Sequence, residues 1–414
     1  MKSFYRSSAL LFFCTNVASA LSYLFQAIMA RHLSTADFGL MNALFGMLGF
    51  LSLPLTVCST AWTRHWAELI KSGHAQEARC SWWSMNLVAF GAGIIAVALL
   101  NLFSESIARW FNTTHITAVR IALAGGVLTV IFGFAGSIAT AHQWFGVLAS
   151  SAIFASLFRV SLGVWGIHFH FPLSGAIVAT SCASSILFLF VAWRIPPMPL
   201  HAFSLKPLLL PPHEWTGPVM ASAAQFCMIS SDMLVIRKVF DPQEAGVFAQ
   251  VMILGKILFF VIAPLSVVIL PKTARGGTSP SEPRIVRRTL GMGFFILMAT
   301  VLGLVLFAPL ALRLLTGASH LLTVSNLRIA LPCLVPLALC QLVIPSFLGR
   351  RQEKILLGFL LISALLPVGL LFCGQLWHAF AVEGATGALL LLFLLANRTS
   401  LLRQETGEDS PVAG

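Results

Sequence analysis

Twelve long runs of this chain carry almost no charge. They span about 7–30, 38–62, 82–103, 121–141, 145–166, 173–193, 217–236, 247–270, 290–311, 329–348, 355–373 and 378–396. A bilayer core of about 30 Å is crossed by about 20 apolar residues in helix. Backbone groups inside lipid must bond within their own segment, so runs of this kind fold as helices. The sequence therefore predicts an all-α polytopic membrane protein with about twelve spanning helices. Charged residues make up only 10% of the 414-residue chain and hydrophobic ones 58%. Mean hydropathy is +0.90. No soluble core of this size could bury that much apolar side chain.

The first run needs separate argument. Lys2 and Arg6 precede it, and Ala18-Ser19-Ala20 resembles a signal-peptidase site. The run nevertheless continues through Phe25 to Ala30, which fits a retained spanning helix.

The formal net charge is +12. It does not imply nucleic acid, because the bases are spread between apolar runs and form no patch. With the N-terminus inside, cytoplasmic segments hold 17 Lys and Arg, among them Arg64, Lys71, Arg194, Lys272 and Arg350. The outer segments then hold seven: Arg31, Arg109, Arg120, Arg237, Lys238, Arg313 and Arg328. The positive-inside rule thus places both termini in the cytoplasm. The eight cysteines fall mostly in apolar runs and read as small buried hydrophobes, with no disulfide framework or zinc site.

The chain repeats itself. Arg31, Asp37 and Gly39 correspond to Lys238, Glu244 and Gly246 at an offset of 207 residues. Pro54 corresponds to Pro264 at 210, and Gln143 and Gly175 to Gln352 and Gly384 at 209. A duplicated half in a membrane protein is a transporter signature. Six helices per half make both halves enter from one side, as a parallel repeat. The expected division is a six-helix lobe over 1–194, a proline-rich cytoplasmic interfacial strap over 195–216, a second lobe over 217–403 and a cytoplasmic tail over 404–414.

Arg159 in the fifth run and Lys256 in the eighth are the basic residues left inside apolar runs. Asp232 lies in the seventh. A charge at the bilayer centre costs about 2.5–3.5 kcal/mol on insertion scales, so such groups face a bundle interior or a cavity. If Arg159 and Lys256 line one cavity, they make an anion site: Arg by a bidentate fork, Lys as a point charge. The structural alternative is an ion pair, such as Asp232 with Arg237, or a snorkelling Lys256. Asn16 and Gln26 in the first run and Gln225, Ser230 and Ser231 in the seventh could bond sugar hydroxyls or knit helices together. Arg31, Asp37, Gly39, Glu244 and Gly246 are candidates for an outer gate; the simpler role for Asp37 and Glu244 is to cap the helices that follow. Pro54 and Pro264 free a carbonyl each and permit matching kinks. Helix 10, with Pro332, Pro336 and Pro345, is also expected to bend.

His168-Phe169-His170 lacks a third ligand for a metal, so no metal site is expected. Asn112-Thr113-Thr114 fits a glycosylation pattern only weakly. No nucleotide or hydrolase motif is present, so no cofactor is expected and transport is not driven directly by ATP in this chain.

Residues 30–54, beginning Ala30-Arg-His-Leu-Ser-Thr-Ala-Asp-Phe-Gly-Leu, resemble the opening of bacterial polysaccharide exporters. Residues 231–248, with Arg237-Lys-Val-Phe-Asp-Pro-Gln-Glu-Ala-Gly246, resemble that family's junction of helices 7 and 8. The family is the oligosaccharide flippase branch of the multidrug/oligosaccharidyl-lipid/polysaccharide exporter superfamily. The resemblance implies a V-shaped pair of six-helix lobes around a cationic cavity. It implies movement of a polyprenyl-diphosphate-linked oligosaccharide to the outer leaflet of the bacterial plasma membrane, for surface polysaccharide such as O-antigen. It also implies that cavity bases hold the diphosphate, which fits Arg159 and Lys256. The expected partners are that lipid-linked oligosaccharide, membrane lipids and polysaccharide polymerase components, with the chain a monomer and not an enzyme. Two alternatives remain open: a drug or cation antiporter of the same superfamily, which would prefer cavity acids, and an oligosaccharide polymerase or ligase, which would need a sizeable outer loop bearing acid/base residues.

Overall fold

The computed structural model describes residues 2–198, 203, 215–262, 282–318, 320–349 and 353–397. Pro264, Gln352, most of the strap, the 271–281 connection and the tail lie outside the described residues.

The described residues form helices and no strands. They run α1 (Lys2–His32), α2 (Thr35–Leu51), α3 (Leu53–Lys71), α4 (Ala75–Leu102), α5 (Ser104–Trp110), α6 (Ile116–Ala141), α7 (Phe145–His168), α8 (Pro172–Arg194), α9 (Thr216–Ile229), α10 (Ser231–Val239) and α11 (Pro242–Gly255). They continue with α12 (Glu282–Leu306), α13 (Ala308–Thr316), α14 (Leu321–Gly349), α15 (Glu353–Ser363), α16 (Leu365–Leu370) and α17 (Leu376–Ala396). Among the described residues nine helices are long and apolar enough to span, or twelve if each bent pair is one span. The twelve apolar runs correspond to these spans. Large apolar side chains such as Ile94, Ile95, Phe295 and Leu302 are exposed, as a lipid-facing surface requires.

The bends are local. α2 and α3 meet at 42° around Ser52, with Pro54 in the first turn of α3. α9 and α10 meet at 46°. α12 and α13 meet at 76°, with Pro309 in the first turn of α13. Proline suits a first turn because the amide it lacks has no partner there anyway. Helix α14 runs continuously through Pro332, Pro336 and Pro345.

Two compact units emerge: Met1–Ser222 with Ile236–Ala249, and Ala223–Val235 with Gln250–Gly414. In the first, α8 packs on α6 and α7, α1 lies along α7, and α2, α3 and α4 pack on α6. Its tryptophan core joins Trp62 and Trp66 of α3 to Trp82 of α4, against Phe134 and Ile138 of α6. Buried indoles need acceptors. Trp66 Nε1 donates to Ser81 Oγ at 3.1 Å, and Trp82 Nε1 to the Phe134 carbonyl at 3.3 Å. Trp83 Nε1 donates to the Pro196 carbonyl at 3.0 Å, fixing the start of the strap to α4. In the second unit α14 packs chiefly on α17, with α12 against α14.

Candidate functional site

Arg159 projects from α7 onto two aromatic rings. Its guanidinium carbon lies 4.3 Å from the Phe25 ring centroid and 5.1 Å from that of Phe45. Phe25 on α1 is fully buried. Desolvated cation–π contacts of this kind contribute about 2 kcal/mol. They hold the guanidinium without using its N–H groups. Arg159 Nε is buried with no hydrogen-bond partner. Next to Phe25 in sequence, Gln26 donates from Nε2 to Asn42 Oδ1 at 3.5 Å, and Asn42 Nδ2 donates to the Phe38 carbonyl at 2.9 Å. Gln26 Oε1 is also buried without a partner. A charged donor and a neutral acceptor left unsatisfied inside a span are what an anionic, hydroxyl-bearing ligand would complete.

Lys256 belongs to the second unit and follows the last turn of α11. Its Nζ lies 3.0 Å from Asp232 Oδ2 and 3.3 Å from Oδ1. Asp232, in the first turn of α10, is 1% exposed. The partner of Asp232 is therefore Lys256, and Arg237 is engaged elsewhere. Glu383 on α17 is 1% exposed, and neither carboxyl oxygen has a hydrogen-bond partner. It lies within electrostatic reach of Asp232 and Lys256. Its signal was present: it is the one charged residue in the run 378–396.

The α1–α2 turn and the α10–α11 turn meet within the first unit. Ser34 is the N-cap of α2: its Oγ accepts from the Asp37 amide at 3.1 Å and donates to Asp37 Oδ2 at 2.7 Å. Asp37 thus sits three residues inside the helix and braces the Ser34 hydroxyl, while Ser34 makes the cap. His115 Nε2 lies 3.3 Å from Asp37 Oδ1. Arg237, 4% exposed, donates from Nε to the Phe111 carbonyl at 2.9 Å and from one terminal nitrogen to Pro242 O at 3.2 Å and Ala36 O at 3.4 Å. Asp37, Arg109, Asn112, His115 and Arg237 line a cavity of about 460 Å³. Gly39 and Gly246 pack backbone to backbone: a Cβ on Gly39 would fall 2.8 Å from Gly246 Cα.

The other sequence candidates are scattered. Asn16, Arg31, Pro54, Gln225 and Glu244 are exposed, with Glu244 in the first turn of α11. Among the described residues no group of three His, Cys, Asp or Glu could hold a metal ion.

The structure is similar to that of a multidrug resistance MATE family transporter of the MOP superfamily in its inward-facing conformation. The TM-score is 0.74, with 16% identity over 96% of both chains. It is also similar to the lipid II flippase MurJ in an inward closed conformation, with TM-score 0.73 and 14% identity over 94% of this chain and 87% of that one. A MOP superfamily transporter from Pyrococcus furiosus matches at TM-score 0.54 and 14% identity over 95% of both chains. At these identities the likeness establishes the fold. No curated protein sequence matches the chain significantly. A family profile does match, over residues 28–325, and on that match the chain belongs to the polysaccharide biosynthesis protein family, built on the polytopic all-α fold of the MOP superfamily.

Proposed function

We propose that this protein is a flippase that moves a polyprenyl-diphosphate-linked oligosaccharide from the cytoplasmic to the outer leaflet of the bacterial plasma membrane by alternating access. Arg159 carries the reading. A guanidinium held over Phe25 and Phe45, with a buried N–H unspent, is suited to grip a diphosphate. Charge-assisted bonds to phosphate are about twice as strong as neutral ones. Gln26 Oε1 is suited to accept from a sugar hydroxyl. The neighbour named as a lipid II flippase also moves a lipid-linked cargo, which favours the same class here. Both termini face the cytoplasm in this reading. The chain acts as a monomer, supplies glycan to polymerase components and catalyses no covalent step.

Glu383, a buried acid without a hydrogen-bond partner, favours a second reading as a cation antiporter. Deleting the gene and identifying the lipid-linked glycans that accumulate separates the two. The flippase reading expects an undecorated surface and a polyprenyl-diphosphate oligosaccharide trapped on the inner leaflet. Normal surface glycan together with sensitivity to toxic organic cations would overturn it.

A further inference from the structure

Diphosphate binding at Arg159 leaves a second set of buried ionisable groups unused. Asp232 and Lys256 neutralise each other at 3.0 Å. Among the described residues, Glu383 then has no ion pair and no hydrogen-bond donor on either carboxyl oxygen. Burying a charge without hydrogen bonds or a full partner costs several kcal/mol. A carboxyl group avoids that cost by keeping its proton.

We infer that Glu383, with the Asp232–Lys256 pair beside it, is a proton-binding site, and that the Lys256 ammonium fills the place a metal cation would otherwise need. The set is neutral when Glu383 is protonated and carries one negative charge when it is not. Hard metal cations are held by a shell of oxygens. Here Lys256 engages both oxygens of Asp232. The other groups in the field of Glu383 are the thiols of Cys333 on α14 and Cys373 just before α17. Loss of the proton leaves one uncompensated negative charge on α17, within electrostatic reach of the Asp232–Lys256 pair on α10 and after α11. The step balances simply: Glu383 releases a proton to water on one side and takes one from water on the other. Its use as the driving force rests on the transport reading; the occupancy itself does not.

The test uses purified full-length protein in a bilayer, by infrared difference spectroscopy and thermal melting. Wild type is expected to show a protonated-carboxyl band at neutral pH that Glu383→Gln lacks. Replacing sodium with choline at constant ionic strength is expected to leave the band and the melting temperature unchanged. Lys256→Ala is expected to gain a rise in melting temperature with sodium, because it leaves Asp232 without its cation beside Glu383. A band that persists in Glu383→Gln, or a wild-type melting temperature that follows sodium, overturns the proposal. If Glu383→Gln does not fold, the Lys256→Ala readout decides: melting indifferent to sodium overturns it. A protein that flips glycan but lacks the band keeps the flippase reading and loses the proton site. A band without flipping does the reverse.

Discussion

Gly39 and Gly246, which correspond in sequence at an offset of 207 residues, touch through their backbones. A Cβ on Gly39 would meet Gly246 Cα at 2.8 Å, and one on Gly246 would meet the Thr35 carbonyl oxygen at 2.0 Å. Helix backbones approach this closely only where no side chain intervenes. Gly39→Ala and Gly246→Ala are each expected to destabilise the first unit by about 1–3 kcal/mol through overpacking, with Gly246→Ala the worse. The double variant is expected to cost less than the sum, because one substitution already separates the backbones. Thermal melting of the three variants checks this; strictly additive losses would show that the two sites do not share one contact.

Arg237 makes its contacts to three carbonyls, those of Phe111, Ala36 and Pro242. Truncation leaves them unsatisfied in a buried place, at about 1–3 kcal/mol. Arg237→Met is expected to lower the melting temperature markedly, and Arg237→Lys to recover only part of it, since an ammonium lacks the planar fork. Full recovery by lysine would mean that charge alone matters there.

Phe25 and Phe45 position the Arg159 guanidinium. Phe45→Leu keeps an apolar side chain and removes the ring beneath the cation. A cation–π contact of about 0.5–2 kcal/mol converts to about a twofold to thirtyfold loss of transport. Folding yield is expected to stay unchanged. Transport rates measured beside melting curves check both halves of this expectation.

His142 lies between α6 and α7, stacked on Trp144 at 4.5 Å. Burial, and then the charge of Arg194, holds its imidazole below its ordinary value of 6.5. A base whose folded pKa is depressed binds more protons unfolded, so stability is full above about pH 6.5 and falls as the pH drops through it. His142→Gln is expected to melt with a shallower acid dependence between pH 7.5 and 5.5. An identical slope in both proteins would remove His142 from the acid response.

Much of the fold was legible because spans are long, apolar and nearly free of charge. The expected repeat rests on Gly39 and Gly246 recurring at an offset of 207 residues with their flanking charges. Tertiary partners were not. Lys256 and Asp232 sit on separate elements, and nothing local to either said that they pair with each other. Glu383 was visible as a lone acid in an apolar run, yet only the missing hydrogen bonds of its buried carboxyl in the structure give it meaning. Pro54 marks a bend beside Ser52, whereas the bend at Ser230 has no proline to announce it. The N-cap at Ser34 is readable from Ser-x-x-Asp, with Asp37 bracing its hydroxyl.

Reconstituted flipping tests the central claim most directly. Purified protein is placed in vesicles with a short fluorescent polyprenyl-diphosphate oligosaccharide, and outer-leaflet exposure is followed by quenching. The account predicts protein-dependent flipping that falls at least about tenfold in Arg159→Gln, a loss of about 1.4 kcal/mol, and is partly kept in Arg159→Lys. Equal flipping by wild type and Arg159→Gln, at equal folded protein, would contradict it.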